Sequence, residues 1–128
     1  MSALSNYAEN KILDHILGTT AFTAPSAVYL GLSTGSFGDD NSGTELTGSN
    51  YSRVAVTFDA ASGGTADNTG AIEFAAATGT WGSVSHFALF DASSGGNLLI
   101  HGAFTAAKTI ASGDVLKIDA GDLDISAD

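Results

Sequence analysis

Residues 81–104 read WGSVSHFALFDASSGGNLLIHGAF, and the way this stretch folds decides the architecture. Two apolar runs, VSHFALF (84–90) and NLLIHGAF (97–104), flank a Ser- and Gly-rich joint of the kind that reverses a chain. A hairpin follows. With regular alternation, Val84, His86, Ala88 and Phe90 share one face, with Leu98, Ile100, Gly102 and Phe104 opposite them. That face is apolar, and so is the other, where Phe87, Leu89, Leu99 and Ala103 flank His101. Leaving such large side chains wet forgoes about 1.5–3 kcal/mol each, so the second face also needs a cover. Phe87, Leu89 and Leu99 are therefore candidate interface positions, to be covered by the N-terminal helix, an opposing sheet or another copy of the protein.

The same stretch holds a lone tryptophan, a histidine, serines and an aspartate, the ingredients of a hydrolase. The spacing argues against one. On an extended strand Ser85 points away from His86, Asp91 lies five residues off, and no G-x-S-x-G elbow is present. His86 reads as a packed neutral imidazole with one hydrogen bond. His86 and His101 share a face in only one strand register and supply only two ligands, while His15 is remote, so neither a metal nor another cofactor is expected. Trp81, between Gly79 and Gly82, either plugs the end of the core or lies in an interface.

Outward from the hairpin, short apolar runs punctuated by Gly, Ser and Asp predict strands at 27–33, 51–58, 71–76, 107–111, 114–120 and 122–126. In YSRVAVTF (51–58), Val54, Val56 and Phe58 share one face and Tyr51, Arg53, Ala55 and Thr57 the other. Seven or eight such strands argue for a single mainly β domain over residues 1–128, a β-sandwich or jelly-roll. One helix precedes it, at about 5–17. Ser5 or Asn6 can cap it, and Gly18 can close it. Ala8, Ile12 and Ile16 recur every fourth residue with Leu13 and Leu17 beside them, so Ile12, Ile16 and Leu17 are expected to anchor the helix on its own domain or on a neighbouring subunit.

The polar, Gly-rich stretch 34–50 breaks the strand rhythm and is expected to be an exposed excursion. Asp39, Asp40, Asn41 and Glu45 crowd together there as in a calcium loop. The twelfth residue from Asp39 is Asn50 instead of a bidentate glutamate, so a solvated turn is the better reading. If the loop recognises a ligand, Phe37, Asp39, Asp40, Asn41 and Tyr51 are the candidates.

Composition bounds the partners. Fourteen acidic residues face four basic ones, a formal charge of -10. No cationic cluster exists to grip phosphates, so direct nucleic-acid binding is not expected. Cysteine is absent. The N-terminus lacks the basic-then-apolar pattern of a secretory leader, and no apolar run is long enough to span a bilayer, so no membrane association is expected. Only 14% of residues are charged, and a surface of hydroxyls and small side chains suits a β-protein that packs against copies of itself.

Taken in order, NYAENKILDHILG, APSAVYLGLSTG, YSRVAVTF, GTWGSVSHFALFD, NLLIHGAF, TIASGDVLKI and AGDLDI resemble the small tailed-bacteriophage virion proteins called tail-fibre-like. The resemblance spans nearly the whole chain outside 34–50 and 59–70. It implies a non-enzymatic virion component, made in the host cytoplasm, with no catalytic or metal-binding residues to carry over. The apolar surplus points to a symmetric homo-oligomer, a trimer favoured, attached to the major capsid protein or to tail proteins. Capsid decoration is the first expectation; a tail-fibre-like, tail-tip or baseplate role in host attachment is the second, and a glycan-binding module the third.

Overall fold

The computed structural model describes residues 2–127. Its frame is an antiparallel sheet in the order β1-β7-β6-β2-β3, made of Ser2–Leu4 (β1), Val28–Ser33 (β2), Val54–Val56 (β3), Gly82–Phe90 (β6) and Leu98–Ile110 (β7). Two small ribbons form the opposing layer. Thr65–Asp67 (β4) pairs with Asp124–Ser126 (β9), and Ile72–Glu73 (β5) pairs with Lys117–Ile118 (β8). One helix, Asn6–Ile16 (α1), precedes them. The result is a β-sandwich with an N-terminal helix, whose second layer is two ribbons and their connections instead of one wide sheet. β1 and β4 were not anticipated. The expected strands at 97–104 and 107–111 are a single irregular strand.

The β6–β7 hairpin departs from regular alternation at two places. Phe90 pairs with Leu98 but Leu89 pairs with Ile100, leaving Leu99 over; His86 pairs with Ala103 but Val84 with Lys108, leaving Ser85 opposite residues 104–107. Each bulge shifts which side chains face which side. Val84 therefore joins Phe87 and Leu89 in the main core, not His86, Ala88 and Phe90, and Ile100 stands opposite Leu89. Leu30 and Leu32 of β2 lie directly across from Leu89 and Phe87 on that same face.

Against it the second layer packs Ile72, Phe74, Leu116, Leu123 and Ile125. Trp81 closes one end of this core. Its ring meets Tyr51 edge-on at 5.5 Å and Phe74 at 6.2 Å, and its indole N–H donates to the Ser49 carbonyl at 3.0 Å. Asn68, fully buried, stitches the second layer together by donating to the carbonyls of Gly70 and Asp119 and accepting from Leu123 N at 2.9 Å. A buried amide so bonded costs little and fixes the layer's connections.

The reverse face of the hairpin carries Ala88, Phe90 and Leu98, and the stretch 34–50 covers it. Phe37 is 1% exposed and meets the Phe90 ring edge-on at 5.9 Å. The expected exposed excursion is thus a lid folded on the sheet, because a doubly apolar strand pair leaves a second face to hide. Arg53 fastens it. The guanidinium stacks 3.6 Å over Phe90, donates to both oxygens of Glu45 at 2.9 and 2.7 Å, and reaches the Ala92 and Gly95 carbonyls in the β6–β7 turn. The Tyr51 hydroxyl donates to Glu45 at 2.5 Å and accepts from Leu32 N at 2.9 Å. Burial, and after it the bond to Glu45, pushes the Tyr51 phenol far above its ordinary value. Gly31 lies beneath: a Cβ there would stand 2.8 Å from a Glu45 oxygen, so the lid needs glycine at that position.

Two stability changes follow. Truncating Phe37 (Phe37→Ala) should cost about 3–5 kcal/mol in urea titration, where a solvated loop phenylalanine would cost about 0.5 or less. Arg53→Ala should cost about 3–5 kcal/mol by stranding the Glu45 carboxylate, and Arg53→Lys should recover only part, since an ammonium cannot span four acceptors.

Candidate functional site

The candidate surface is the far end of α1. Ser5 caps the helix, its hydroxyl accepting from Ala8 N at 3.1 Å and donating to the Leu98 carbonyl, while Ser5 N donates to the Leu99 carbonyl at 2.9 Å. These bonds tie the first turn to β7, so Ala8 is buried and Ile12 half-buried. The apolar stripe then runs past the edge of the domain. Leu13, Ile16 and Leu17 are 54%, 70% and 73% exposed, and among the described residues only Val115 joins them as a large exposed hydrophobic side chain. Of the expected anchors, Ile12 reaches the domain, whereas Ile16 and Leu17 do not dock on it.

The second set of expected interface residues is covered from within. Phe87 and Leu89 belong to the main core, and Leu99 is buried against the start of α1. No neighbour is needed to cover them, because the ribbons and the helix entry do so.

The 34–50 candidates divide. Phe37 is core and Tyr51 is half-buried, its hydroxyl committed to Glu45, so neither is offered as an exposed recognition group. Asp39, Asp40 and Asn41 are exposed. Asp39 is 2.7 Å from His101 Nε2, and its carbonyl accepts from Asn6 N, so it links lid, sheet and helix. Asp40 accepts from Ser42, whose hydrogen bonds hold its carboxyl below the usual value. Asn41, at φ 58, makes the turn.

The three histidines stay apart. His15 accepts from Phe22 N, His86 lies 2.7 Å from Ser85 Oγ, and His101 meets Asp39. Ser85 and His86 touch because the bulge turns them toward each other, a contact that regular alternation hid. Among the described residues no three His, Asp or Glu side chains gather as a metal site, and no helix is long and apolar enough to cross a membrane.

One carboxylate pair affects pH dependence. Asp67 and Asp124 face each other across β4 and β9. Hydrogen bonding to Asp124 first, then burial and the charges of Asp124 and Asp59, raise the Asp67 carboxyl above 3.8. A raised folded value means stability that is fully present below the unfolded value and lost as pH rises through the folded one. Asp67→Asn should therefore raise the Tm at pH 7 relative to wild type, and the gain should vanish below about pH 3.8 in a calorimetric pH series. Asp91 has the opposite sign: hydrogen bonds from the Asn97 side chain and backbone hold it below its usual value, so its contribution is lost in acid.

Comparison with curated proteins gives no match. The family described as Podophage GP4 fiber I protein gp80 matches residues 3–126, from β1 through β9, taking in the helix, the lid and both layers. With all but the outermost residues of its length so matched, the chain belongs to this family of tailed-phage virion proteins.

Proposed function

We propose that the protein is a non-enzymatic structural subunit of a podophage fibre, acting as a homo-oligomer, with a trimer favoured. The observation that carries this reading is the overhanging end of α1: three large aliphatic side chains left wet by a fold that hides nearly all its others. Burying them against a neighbour recovers roughly 1.5–3 kcal/mol apiece. The family description names a fibre protein, which supports the fibre reading. Within the described residues the only helix has eleven residues, about 16 Å at 1.5 Å per residue, and no heptad array accompanies it. The module therefore serves as a joint or tip, not as a shaft. Its partners are copies of itself and the tail proteins that carry the fibre.

Ile16→Ser with Leu17→Ser should leave the circular dichroism spectrum unchanged and lower the mass measured by light scattering from oligomer to monomer. Immunogold labelling of intact particles should mark fibres at the tail; label spread over the capsid faces would restore decoration and sink the fibre reading.

A further inference from the structure

The tip of the lid, the start of α1 and the β6–β7 turn meet around a concavity of about 320 Å³, at the lower end of the range for small-ligand sites. α1 contributes Asn6 and Tyr7, the lid Asp39, Asp40 and Asn41, and the turn Asn97. Three of these side chains are placed by bonds that leave capacity over. Asp39 meets His101 Nε2 at 2.7 Å, Asp40 accepts from Ser42 N at 3.1 Å, and the Asn97 amide N–H donates to Asp91 at 2.9 Å. A carboxylate has about four acceptor sites and an amide oxygen two, so Asp39, Asp40 and the Asn97 oxygen can each accept more. Asn6 and Asn41 are exposed, and their amides make no hydrogen bond among the described residues. The Tyr7 ring is a fixed wall, with Phe22 edge-on at 6.5 Å and Lys11 Nζ 5.7 Å from its centroid.

This set of groups selects a ligand class. No Lys or Arg lines the concavity, so a phosphate, sulfate or uronate would meet two carboxylates and no cation. Among the described residues no three carboxylate or imidazole side chains gather there to hold a metal ion. The carboxylates only accept hydrogen bonds, whereas the three amides both donate and accept. An uncharged polyol answers all of them, because each hydroxyl does both, and a pyranose adds a C–H face that packs on an aromatic ring. Concavities of similar size elsewhere lack this combination. The one beside Arg53 spends its guanidinium, carboxylate and phenol on one another, the recess beneath α1 is lined by apolar residues alone, and the cleft between β7 and β8 sets Lys117 beside Asp119.

We propose that this concavity binds an uncharged sugar, whose hydroxyls donate to Asp39 and Asp40 and exchange hydrogen bonds with Asn6, Asn41 and Asn97 while its C–H face packs on Tyr7. The three contributing segments are tied together before any ligand arrives, since the Asp39 carbonyl accepts from Asn6 N and the Asp39 carboxylate meets His101 of β7. The groups are therefore held in place, and binding has little ordering to do. The site does not depend on the homo-oligomer reading: Asn6 and Ile16 lie ten residues apart along α1, about 15 Å.

The test follows amide shifts in NMR spectra of the full nitrogen-15-labelled chain titrated with D-glucose, D-galactose, D-mannose and N-acetyl-D-glucosamine, with D-glucuronate as the charged control. At least one uncharged sugar should give saturable shifts centred on residues 6–7, 39–41 and 97, and D-glucuronate should give none. Asn6→Ala with Asn41→Gly removes two amides, and glycine keeps the turn at φ 58. That variant should bind the same sugar about tenfold more weakly at an unchanged Tm. The proposal is overturned if no uncharged sugar gives saturable shifts, if the shifts centre elsewhere, if D-glucuronate binds equally well, or if the double variant keeps its affinity. None of these outcomes touches the homo-oligomer reading, whose readout is the mass in solution.

Discussion

β6 is apolar on both faces, and a strand of that kind must be covered twice. Phe87 and Leu89 face the ribbon layer while Ala88 and Phe90 face the lid. The first cover comes as ordinary sandwich packing. The second has to be made from a segment rich in Gly, Ser and Asp, which has little apolar surface of its own. One phenylalanine, Phe37, supplies the wedge, and Arg53 supplies the fastening by joining a cation–π contact to four hydrogen bonds in one side chain. Because that guanidinium reaches from the segment entering β3 to the lid and the hairpin turn, it couples three separate parts of the chain.

Once both faces are covered, the apolar remainder is confined to one place. The hairpin was the expected source of surplus surface, yet the fold spends its own segments there and leaves α1 overhanging instead. A helix needs only a turn or two of docked stripe to be held, and the Ser5 cap with its bonds to Leu98 and Leu99 holds the first turn. The last turn then needs no contact with the domain to stay helical. The inner part of the stripe thus stabilises the subunit and the outer part is left exposed, although nothing in the i, i+4 spacing distinguishes Ile12 from Ile16.

The sequence made the helix, the β6–β7 hairpin and the β2 strand legible, because each rests on local periodicity and a strong turn or cap signal. It also showed Phe87 and Leu89 as positions that must be covered. What covers them was not legible, since the ribbons pair residues such as Asp67 with Asp124 that lie far apart along the chain. The bulges at Ser85 and Leu99 were hidden for a different reason: alternation assumes two residues per repeat, and an inserted residue leaves no composition signal. The reading of 34–50 failed on Phe37. A single aromatic in a polar loop was the available clue, and Gly31 between Leu30 and Leu32 was a second, marking where another part of the chain comes close.

Charge explains how such an exposed apolar surface is tolerated. A chain at -10 repels its copies at every orientation in which acidic faces meet, which keeps the exposed Ile16 and Leu17 from causing indiscriminate aggregation. Electrostatics therefore opposes unselective approach, and burial rewards only close contact. The division follows from their ranges, since apolar contact acts only on touching, whereas charge acts over about 8 Å at physiological salt. An acidic chain is thus kept from indiscriminate self-contact by a force that acts before apolar surfaces touch.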